Sequence, residues 1–310
     1  MKKTWGDKSY YSLNYFLREK FGEKVFKISL DAGFSCPNRD GTISSGGCIF
    51  CSERGSGDFA GERSCDIKEQ FTSIKEIMSK KWKSGKYIAY FQAYTNTYAP
   101  VEVLREKYME AICQEGVVGI AIATRPDCLE PEVLELLEEI SKKVYLWIEL
   151  GLQTSKDETG VLINRGYELK VFEKALVELR SRNIDVVVHS ILGLPGESKE
   201  DMLGTIKYLS NLDIQGLKMH LLHLMKDTPM EKLYGEGQLT FLEEEEYTDL
   251  ICKAITMLPK NIVIHRLTGD APRQALIGPL WSLKKWEILN SIDRKLKDGD
   301  LYQGSSFSPT

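Results

Sequence analysis

The chain has 310 residues, of which 42% are hydrophobic and 28% charged, proportions that are ordinary for a globular protein with ample length for a core. Its net charge of −4 gives no overall attraction to nucleic acid, so any such binding must come from a local basic patch. No apolar run reaches the roughly eighteen residues that a membrane-spanning helix needs, so no membrane association is predicted.

Residues 1–24 are predicted to form an extension ahead of the main domain. The segment MKKTWGDKSYYSLNYF starts with positive charge but lacks the apolar stretch and the small-residue cleavage site of a signal peptide. The 7 cysteines are odd in number and irregularly spaced, which indicates reduced thiols. The sequence therefore predicts a cytoplasmic protein.

Short apolar runs then alternate with amphipathic ones. The apolar runs are continuous and rich in Val, Ile and aromatic residues, as parallel strands covered on both faces are. They are Val25–Leu30, Tyr87–Gln92, Val117–Thr124, Val144–Leu150, Ile184–Leu192 and Gly216–Leu222. The helical patterns between them are Lys68–Lys83, Pro100–Gln114, Pro131–Ser141, Leu169–Ser181 and Lys199–Leu212. Six β-then-α units in order predict an α/β protein with a parallel sheet, either open or closed into a complete or incomplete barrel.

We predict that the main domain covers residues 25–258 and that residues 259–310 form a C-terminal extension that completes the barrel. The extension can hold a strand, the motif HRLTGD (265–270) and a helix from Leu280. Two sets of basic residues are candidate nucleic-acid contacts, although such runs are usually solvated helix faces. The sets are Lys80, Lys81, Lys83 and Lys86, and Lys284, Lys285, Arg294, Lys295 and Lys297.

Three cysteines after the first predicted strand carry the strongest chemical signal. Cys36, Cys48 and Cys51 lie in LDAGFSCPNRDGTISSGGCIFC, a C-x11-C-x2-C arrangement on a glycine-rich loop at 31–52. An iron–sulfur cluster normally takes four thiolates, so three would leave one iron open to a substrate or cofactor.

Spacing alone leaves alternatives to a cluster. Cys48 and Cys51 form half of a zinc knuckle, and Cys36 with a remote histidine could complete a tetrahedral zinc site. Plain buried thiols are the third interpretation, and a disulfide is disfavoured because nothing indicates an oxidising compartment.

Polar residues recur where the predicted strands end. Loops after parallel strands build the active face of such folds, so these residues predict one shared site. After the cysteine loop they lie at 92–97, 124–127, 151–153 and 193–197, followed by Lys218, His220 and His223. Lys218 and His220 are two apart in a strand and therefore point to one face, although a satisfied core histidine is equally compatible with the pattern.

Together these segments resemble the radical S-adenosylmethionine (SAM) superfamily, specifically its Elongator-catalytic-subunit-like group and the small YhcC-like bacterial proteins within it. The resembling residues are Cys36, Cys48, Phe50 and Cys51, FQAYTNT (91–97), ATRPDC (123–128), IELGLQ (148–153), NRG (164–166), His189, GLPG (193–196) and HRLTGD (265–270). The common cysteine spacing is C-x3-C-x2-C, and the long first gap found here is a property of the Elongator-like branch.

The resemblance implies an incomplete (β/α)6 barrel with a short C-terminal extension. It implies that Cys36, Cys48 and Cys51 hold a [4Fe-4S] cluster whose open iron chelates SAM. By the same resemblance, Phe50 lies near the adenine, Glu149 contacts the ribose, and Gln153 and Arg165 hold the methionine part. The other implied cofactor-binding residues are Gln92, His189, Gly193 and Pro195.

A reduced cluster of this family cleaves SAM to a 5′-deoxyadenosyl radical, so the resemblance also implies an electron donor such as flavodoxin or ferredoxin. Tyr94, Lys218 and His220 are the candidate catalytic residues. Other residues expected to face the substrate are Asn96, Arg125, Asp127 and His223, whereas Cys128 is expected to be a small core residue.

The Elongator-like group modifies the C5 side chain of the wobble uridine in tRNA, and its larger members add an acetyltransferase domain for which this chain has no room. The resemblance therefore implies processing of an existing substituent, such as carboxymethylaminomethyl to aminomethyl. The acidic net charge is evidence against a tRNA substrate. Two alternatives remain: oxidation of a porphyrinogen, whose CxxxCxxCxC signature is absent, and a zinc-dependent binding protein without turnover.

Overall fold

The computed structural model describes residues 4–82 and 85–309. Within these residues, seven parallel strands form one sheet in the order β1-β2-β3-β4-β5-β6-β8. These strands are β1 (Val25–Leu30), β2 (Lys86–Phe91), β3 (Val117–Thr124), β4 (Tyr145–Gln153), β5 (Asp185–Leu192), β6 (Gly216–Leu221) and β8 (Val263–Arg266). The sheet has β1 and β8 at its edges, so the predicted incomplete α/β barrel is confirmed, with a seventh strand from the C-terminal region.

The helices follow the strands in the predicted alternation. They are α1 (Leu13–Phe21), α2 (Ile67–Ser79), α3 (Val101–Ile112), α4 (Pro131–Ser141), α5 (Asp157–Leu162), α6 (Leu169–Ser181), α7 (Lys199–Ser210), α8 (Met230–Gly235), α9 (Glu244–Met257) and α10 (Lys285–Asp298). Capping boxes at Asp66 and Ser198 fix the starts of α2 and α7. A short antiparallel pair, β7 (Leu224–Met225) with β9 (Leu276–Gly278), lies beside the carboxyl end of the sheet.

Three predicted boundaries differ from the structure by three residues or more. The fourth strand continues to Gln153 instead of ending at Leu150, and α10 starts at Lys285 after a 3₁₀ turn at Leu280–Leu283. The first helical pattern, predicted as Lys68–Lys83, ends at Ser79 as helix α2. Lys83, its predicted last residue, lies outside the described residues.

The two faces of the sheet bury different kinds of residue, because successive side chains of a strand point to opposite faces. The outer face packs Ile28, Phe91 and Ile148 with the surrounding helices in the main core. The inner face has an apolar layer that includes Ile88 and Trp147 and is covered by α1. One step further along the strands, the inner residues are polar.

The N-terminal segment is joined to the C-terminal region beside β8. The amide of Ile264 donates to the carbonyl of Tyr11 at 2.7 Å. The amide of Tyr11 donates to Oε1 of Gln303 at 2.8 Å, and Nε2 of Gln303 donates to the carbonyls of Pro259 and Ile262 at 2.7 and 2.8 Å. The buried Gln303 amide therefore connects three separate segments.

Among the described residues, no helix has both the length and the apolar composition needed to cross a membrane.

Candidate active site

The carboxyl ends of the strands open into a cavity of about 370 Å³, within the usual size range of ligand sites. It brings together most of the predicted site residues: Cys36, Cys48, Phe50, Cys51, Gln92, Tyr94, Glu149, Gln153, His189, Lys218 and His220, with Arg125 and His223. Arg165, Gly193 and Pro195 lie outside its lining, as do Asn96 and Asp127.

Side-chain amides brace the cysteine loop. Asn38 donates through Nδ2 to the carbonyl of Asn164 at 2.7 Å and to Sγ of Cys48 at 3.6 Å. Asn164 donates in turn to the carbonyl of Gly47 at 2.8 Å. A Cβ on Gly166 would lie 2.7 Å from Oδ1 of Asn38, so glycine leaves the space in which Asn38 bonds. The NRG segment thus supports the loop that carries the thiols.

The three thiols are close enough to affect one another electrostatically. Burial and the neighbouring Cys51 and Cys36 sulfurs raise the pKa of Cys48 to about 12, against the opposing charge of Arg125. Burial also raises the pKa of the Cys51 thiol, while the charge and hydrogen bond of Arg39 act to lower it. Among residues 4–82 and 85–309, no three His, Cys, Asp or Glu side chains stand in the geometry of a bound metal ion.

The donor set fits a thiolate-held cluster. Three thiols line one cavity, Asn38 already directs an N–H group at one sulfur, and hydrogen bonds of this kind tune clusters. Nη2 of Arg39 donates to the carbonyl of Cys51 at 2.8 Å and so holds the loop from its other side.

An irregularity at the end of β4 directs Gln153 into the cavity. The register between β4 and β5 shifts between Gly151 and Gln153, and Gln153 has a left-handed φ of 66°. Such bulges re-aim side chains next to active sites. The Tyr167 hydroxyl lies 3.1 Å from Oε1 of Gln153 and donates to the carbonyl of Gly151 at 2.8 Å, which fixes the bulge.

Glu149 is the centre of the polar layer inside the barrel. Its carboxylate bonds the Lys218 ammonium, lies 2.8 Å from Nε2 of His189, and accepts from Nε1 of Trp147 at 3.1 Å. Nζ of Lys27 lies 3.6 Å away on β1. Burial alone would raise the pKa of Glu149, but the charges of Lys218 and Lys27 and the His189 bond outweigh it and hold that pKa well below its usual value. Glu149 is therefore an anion that joins strands β1, β4, β5 and β6.

The histidines of the cavity are held neutral. Burial, assisted by the charge of Lys218, lowers the pKa of His189 to about 4. Burial likewise lowers the pKa of His223 to about 4 and the pKa of His220 well below its ordinary value. At neutral pH these rings act as neutral hydrogen-bond partners.

Tyr94 and Gln92 line the cavity, but their polar ends bond the loop after the cysteines. The Tyr94 hydroxyl donates to the carbonyl of Glu53 at 2.6 Å, and Nε2 of Gln92 donates to the carbonyl of Ser56 at 2.8 Å. Tyr94 has a left-handed φ of 59°, a strained conformation that often marks functional sites.

Two residues expected to face the substrate point elsewhere. Asn96 is fully buried and donates to the carbonyl of Ala123 at 2.9 Å. Asp127 forms a two-pronged pair with Arg125, at 2.9 Å to Nε and 2.6 Å to Nη2. Neither residue lines the cavity in this structure, and their contact with the substrate stays a prediction. Cys128 is buried, as expected of a core residue.

Arg165 does not line the cavity in this structure, and its predicted contact with SAM stays a prediction. Arg165 is fully buried, and all its guanidinium nitrogens already donate within the protein. The acceptors are the carbonyls of Tyr167, Leu152 and Thr154 and Oδ1 of Asp157, at 2.7–3.0 Å. Four of its five N–H groups are used in this way.

The GLPG motif lies beyond the cavity. Gly193 has a left-handed φ of 90°, and its amide lies 3.1 Å from Sδ of Met202 in α7. Gly193 and Pro195 therefore shape the turn that leads into α7, and neither lines the cavity in this structure.

Replacing Arg165 by Ala is expected to destabilise the fold by about 3–5 kcal/mol, the usual cost of removing one partner of a buried charged network. Urea denaturation would measure the loss. The matched control is Arg182→Ala, which breaks a partly exposed pair with Glu178 and should cost about 0.5 kcal/mol. Equal stabilities of the Arg165→Ala protein and the wild type would contradict the structural role.

Comparison with known families agrees with this site. Residues 39–209 match the family described as the Radical SAM superfamily, and residues 214–298 match the Radical_SAM C-terminal domain. The chain is 52% identical over 301 residues to protein YtqA of Bacillus subtilis (strain 168), covering 97% of this chain and 94% of the relative. It is 39% identical over 292 residues to protein YhcC of Escherichia coli (strain K12), covering 94% and 93%. The chain belongs to the radical SAM superfamily, and it is an enzyme of that class.

More distant similarities point to the Elongator branch. The chain is 28% identical over 170 residues to a tRNA uridine(34) acetyltransferase of Dehalococcoides mccartyi (strain CBDB1), covering 54% of this chain and 36% of that protein. The archaeal Methanocaldococcus infernus Elp3 with an N-terminal deletion has the same fold, with a TM-score of 0.67 at 16% identity. That match covers 90% of this chain and 64% of the other.

Proposed function

We propose that this enzyme modifies the C5 substituent of the wobble uridine in tRNA, for example by converting a carboxymethylaminomethyl group to aminomethyl. The observation that carries the proposal is the similarity to proteins named tRNA uridine(34) acetyltransferases over about half of the chain. The fold that the chain shares with the archaeal Elp3 is consistent with the proposal.

Cys36, Cys48 and Cys51 would hold a [4Fe-4S] cluster, with SAM in the cavity beside it. Bound together, these groups supply a 5′-deoxyadenosyl radical that abstracts a hydrogen atom from the substrate. Phe50 and Gln153 line the cavity and would contact SAM, whereas the carboxylate of Glu149 would add a ribose contact to the bonds it already makes.

The protein's own contribution would be orientation and the exclusion of water. The Glu149–Lys218 pair is fully enclosed, so the polar layer is held in one arrangement before any ligand binds. Neutral His189 and His220 have ring centroids 5.1 Å apart and would orient polar groups of the substrate without adding charge. An electron donor such as flavodoxin or ferredoxin would approach at loop 31–52, which has exposed residues on its outer side.

The position of the cavity changes which basic residues are candidates for tRNA contact. Lys86 is the first residue of β2, so the predicted patch at Lys80, Lys81 and Lys86 lies at the opposite end of the barrel from the cavity. Lys86 is also paired with Glu23 at 3.2 Å. The location of that patch therefore does not suit a substrate that enters the cavity.

A different basic group lies at the mouth of the cavity. Lys226 and Arg273 are exposed and directly follow Met225 and Pro272, which line the mouth. The amide of Lys226 donates to the carbonyl of Ala275 at 2.8 Å, which keeps the two segments together. From the second predicted set, Lys284 and Lys285 lie nearby, since Nζ of Lys285 bonds Asp270 at the mouth at 2.6 Å.

Reversing charge at the mouth with Lys226→Glu and Arg273→Glu is expected to weaken tRNA binding by about tenfold or more. The slope of log affinity against log salt concentration should also become shallower, by the amount that about two phosphate contacts contribute. The matched control is Lys80→Glu with Lys81→Glu, which changes the same charge at the far end and should leave affinity within about twofold. Filter binding over a salt series would measure both, and equal weakening by the two pairs would contradict this placement.

The substrate itself is tested by nucleoside analysis of tRNA from strains with and without the gene. The deletion is expected to accumulate a wobble uridine whose substituent is unprocessed. Identical wobble nucleosides in both strains across growth conditions would overturn the tRNA assignment while leaving SAM cleavage intact.

A further inference from the structure

The wall of the cavity formed by β6 and β8 carries hydrogen-bond donors that lack acceptors. Arg266 lines the cavity with 28% of its side chain exposed. Within the described residues its guanidinium has one ion-pair partner, Oδ2 of Asp270 at 3.3 Å from Nη2. It makes no side-chain hydrogen bond there, in contrast to Arg165, whose guanidinium makes four. A guanidinium fork is suited to binding a carboxylate through two parallel bonds.

Two imidazoles beside Arg266 also have a ring nitrogen without a hydrogen-bond partner among the described residues. Nε2 of His220 and Nε2 of His223 are buried atoms without a partner among the residues described. Because burial keeps both rings neutral, each ring can present an N–H group to a ligand. A Cβ on Gly269 would lie 2.5 Å from Cε1 of His223, so the glycine of HRLTGD leaves room for this ring.

The basic side chains around this wall also share few carboxylates. Lys218 and Lys27 share the one carboxylate of Glu149. Asp270, the carboxylate nearest to Arg266, is bonded by Lys285 through both of its oxygens. Buried polar groups and charges are costly unless they are paired, so a bound anion would satisfy donors that the fold leaves open.

We propose that Arg266, His220 and His223 form a subsite that binds a carboxylate of the substrate inside the barrel. This inference rests on the proposed function and deepens it, because it requires the uridine substituent to carry a carboxylate. Arg266 binds the carboxylate oxygens, and the two imidazoles donate to whichever oxygen lone pairs remain. The subsite thereby fixes the position of the methylene group next to the carboxylate.

SAM also carries a carboxylate, so the source of the anion must be distinguished. A substrate subsite predicts that a carboxylate probe and SAM bind at the same time. A methionine subsite predicts that saturating SAM displaces the probe.

Calorimetric titration of the anaerobically reconstituted protein with 5-carboxymethyluridine and with its methyl ester tests the proposal. The acid is expected to bind in the presence of saturating SAM, and Arg266→Gln is expected to weaken it by roughly 10- to 100-fold. The ester should bind weakly and equally to both proteins. Arg105→Gln, which removes an exposed arginine of α3 outside the cavity lining, is the matched control and should bind the acid like the wild type.

Arg266→Lys keeps the charge but removes the planar fork of the guanidinium, so it should weaken binding of the acid by an intermediate amount. This variant takes the place of Arg266→Gln if Arg266→Gln does not fold. Unchanged affinity for the acid in both Arg266 variants would overturn the subsite, and so would displacement of the acid by SAM. Arg266-dependent binding of the acid together with unchanged tRNA nucleosides would retain the subsite and discard the tRNA assignment.

Discussion

Replacing Cys36, Cys48 or Cys51 by Ala is expected to abolish the iron–sulfur cluster and, with it, all formation of 5′-deoxyadenosine from SAM. Each thiol lines the same cavity, and a cluster held by only two thiolates would not survive reconstitution and desalting. Iron and acid-labile sulfide analysis after anaerobic reconstitution should give about four of each per wild-type chain and close to none for the variants.

The controls are cysteines away from the loop. Cys113 is exposed at the end of α3 and Cys252 is buried in α9, so Cys113→Ala and Cys252→Ala should keep full iron content. A triple variant of the loop cysteines that retained its iron would disprove cluster ligation. A colourless wild-type protein loaded with zinc would favour the zinc alternative.

Removing either partner of the Glu149–Lys218 pair is expected to destabilise the fold strongly. Lys218→Met leaves a carboxylate in a site with no exposure, and Glu149→Gln leaves the enclosed Lys218 and the partly exposed Lys27 without a counter-charge. Each change should cost about 3–5 kcal/mol of unfolding free energy. The double variant removes both charges and should recover much of that loss. Urea denaturation of the four proteins would give the coupling energy directly.

The same pair predicts a pH dependence. The folded-state pKa of Glu149 lies below its unfolded value, which for glutamate is about 4.3, so its ionisation contributes stability above that pH. The contribution is lost as pH falls through the folded pKa. The stability difference between the wild type and Glu149→Gln should therefore be constant from neutral pH to about pH 5 and shrink in stronger acid. A difference that persists unchanged into strong acid would contradict an ionised Glu149.

The fold was largely predictable because its strands are covered on both faces. Continuous apolar runs such as Val117–Thr124 and Ile184–Leu192 have few other interpretations when amphipathic segments separate them. Helix α9 was not predicted. Its first turn lies in the acidic run at 243–246, which resembles a solvated loop in the sequence, whereas the buried residues after it pack against α7 and α10 in the structure.

The site was less predictable, because a sequence does not show which donors are already used. Arg165 and Asn96 belong to motifs of the right order, yet backbone carbonyls take their N–H groups. The guanidinium of Arg266, by contrast, makes no side-chain hydrogen bond among the described residues. Nothing in HRLTGD distinguishes Arg266 from a surface arginine. A signal did exist for Lys27: a lysine in the middle of the buried strand VFKISL needs an internal partner, which is Glu149.

The connection of Tyr11 with Ile264 and Gln303 has a consequence for synthesis. The N-terminal segment leaves the ribosome first, but its backbone partners are made roughly 250 residues later, which at about 5–20 residues per second is a delay of tens of seconds. During this interval, the apolar face of α1 that bears Leu17 has only the early strands to cover it. The junction at Gln303 therefore cannot form until the segment with Gln303 has been made.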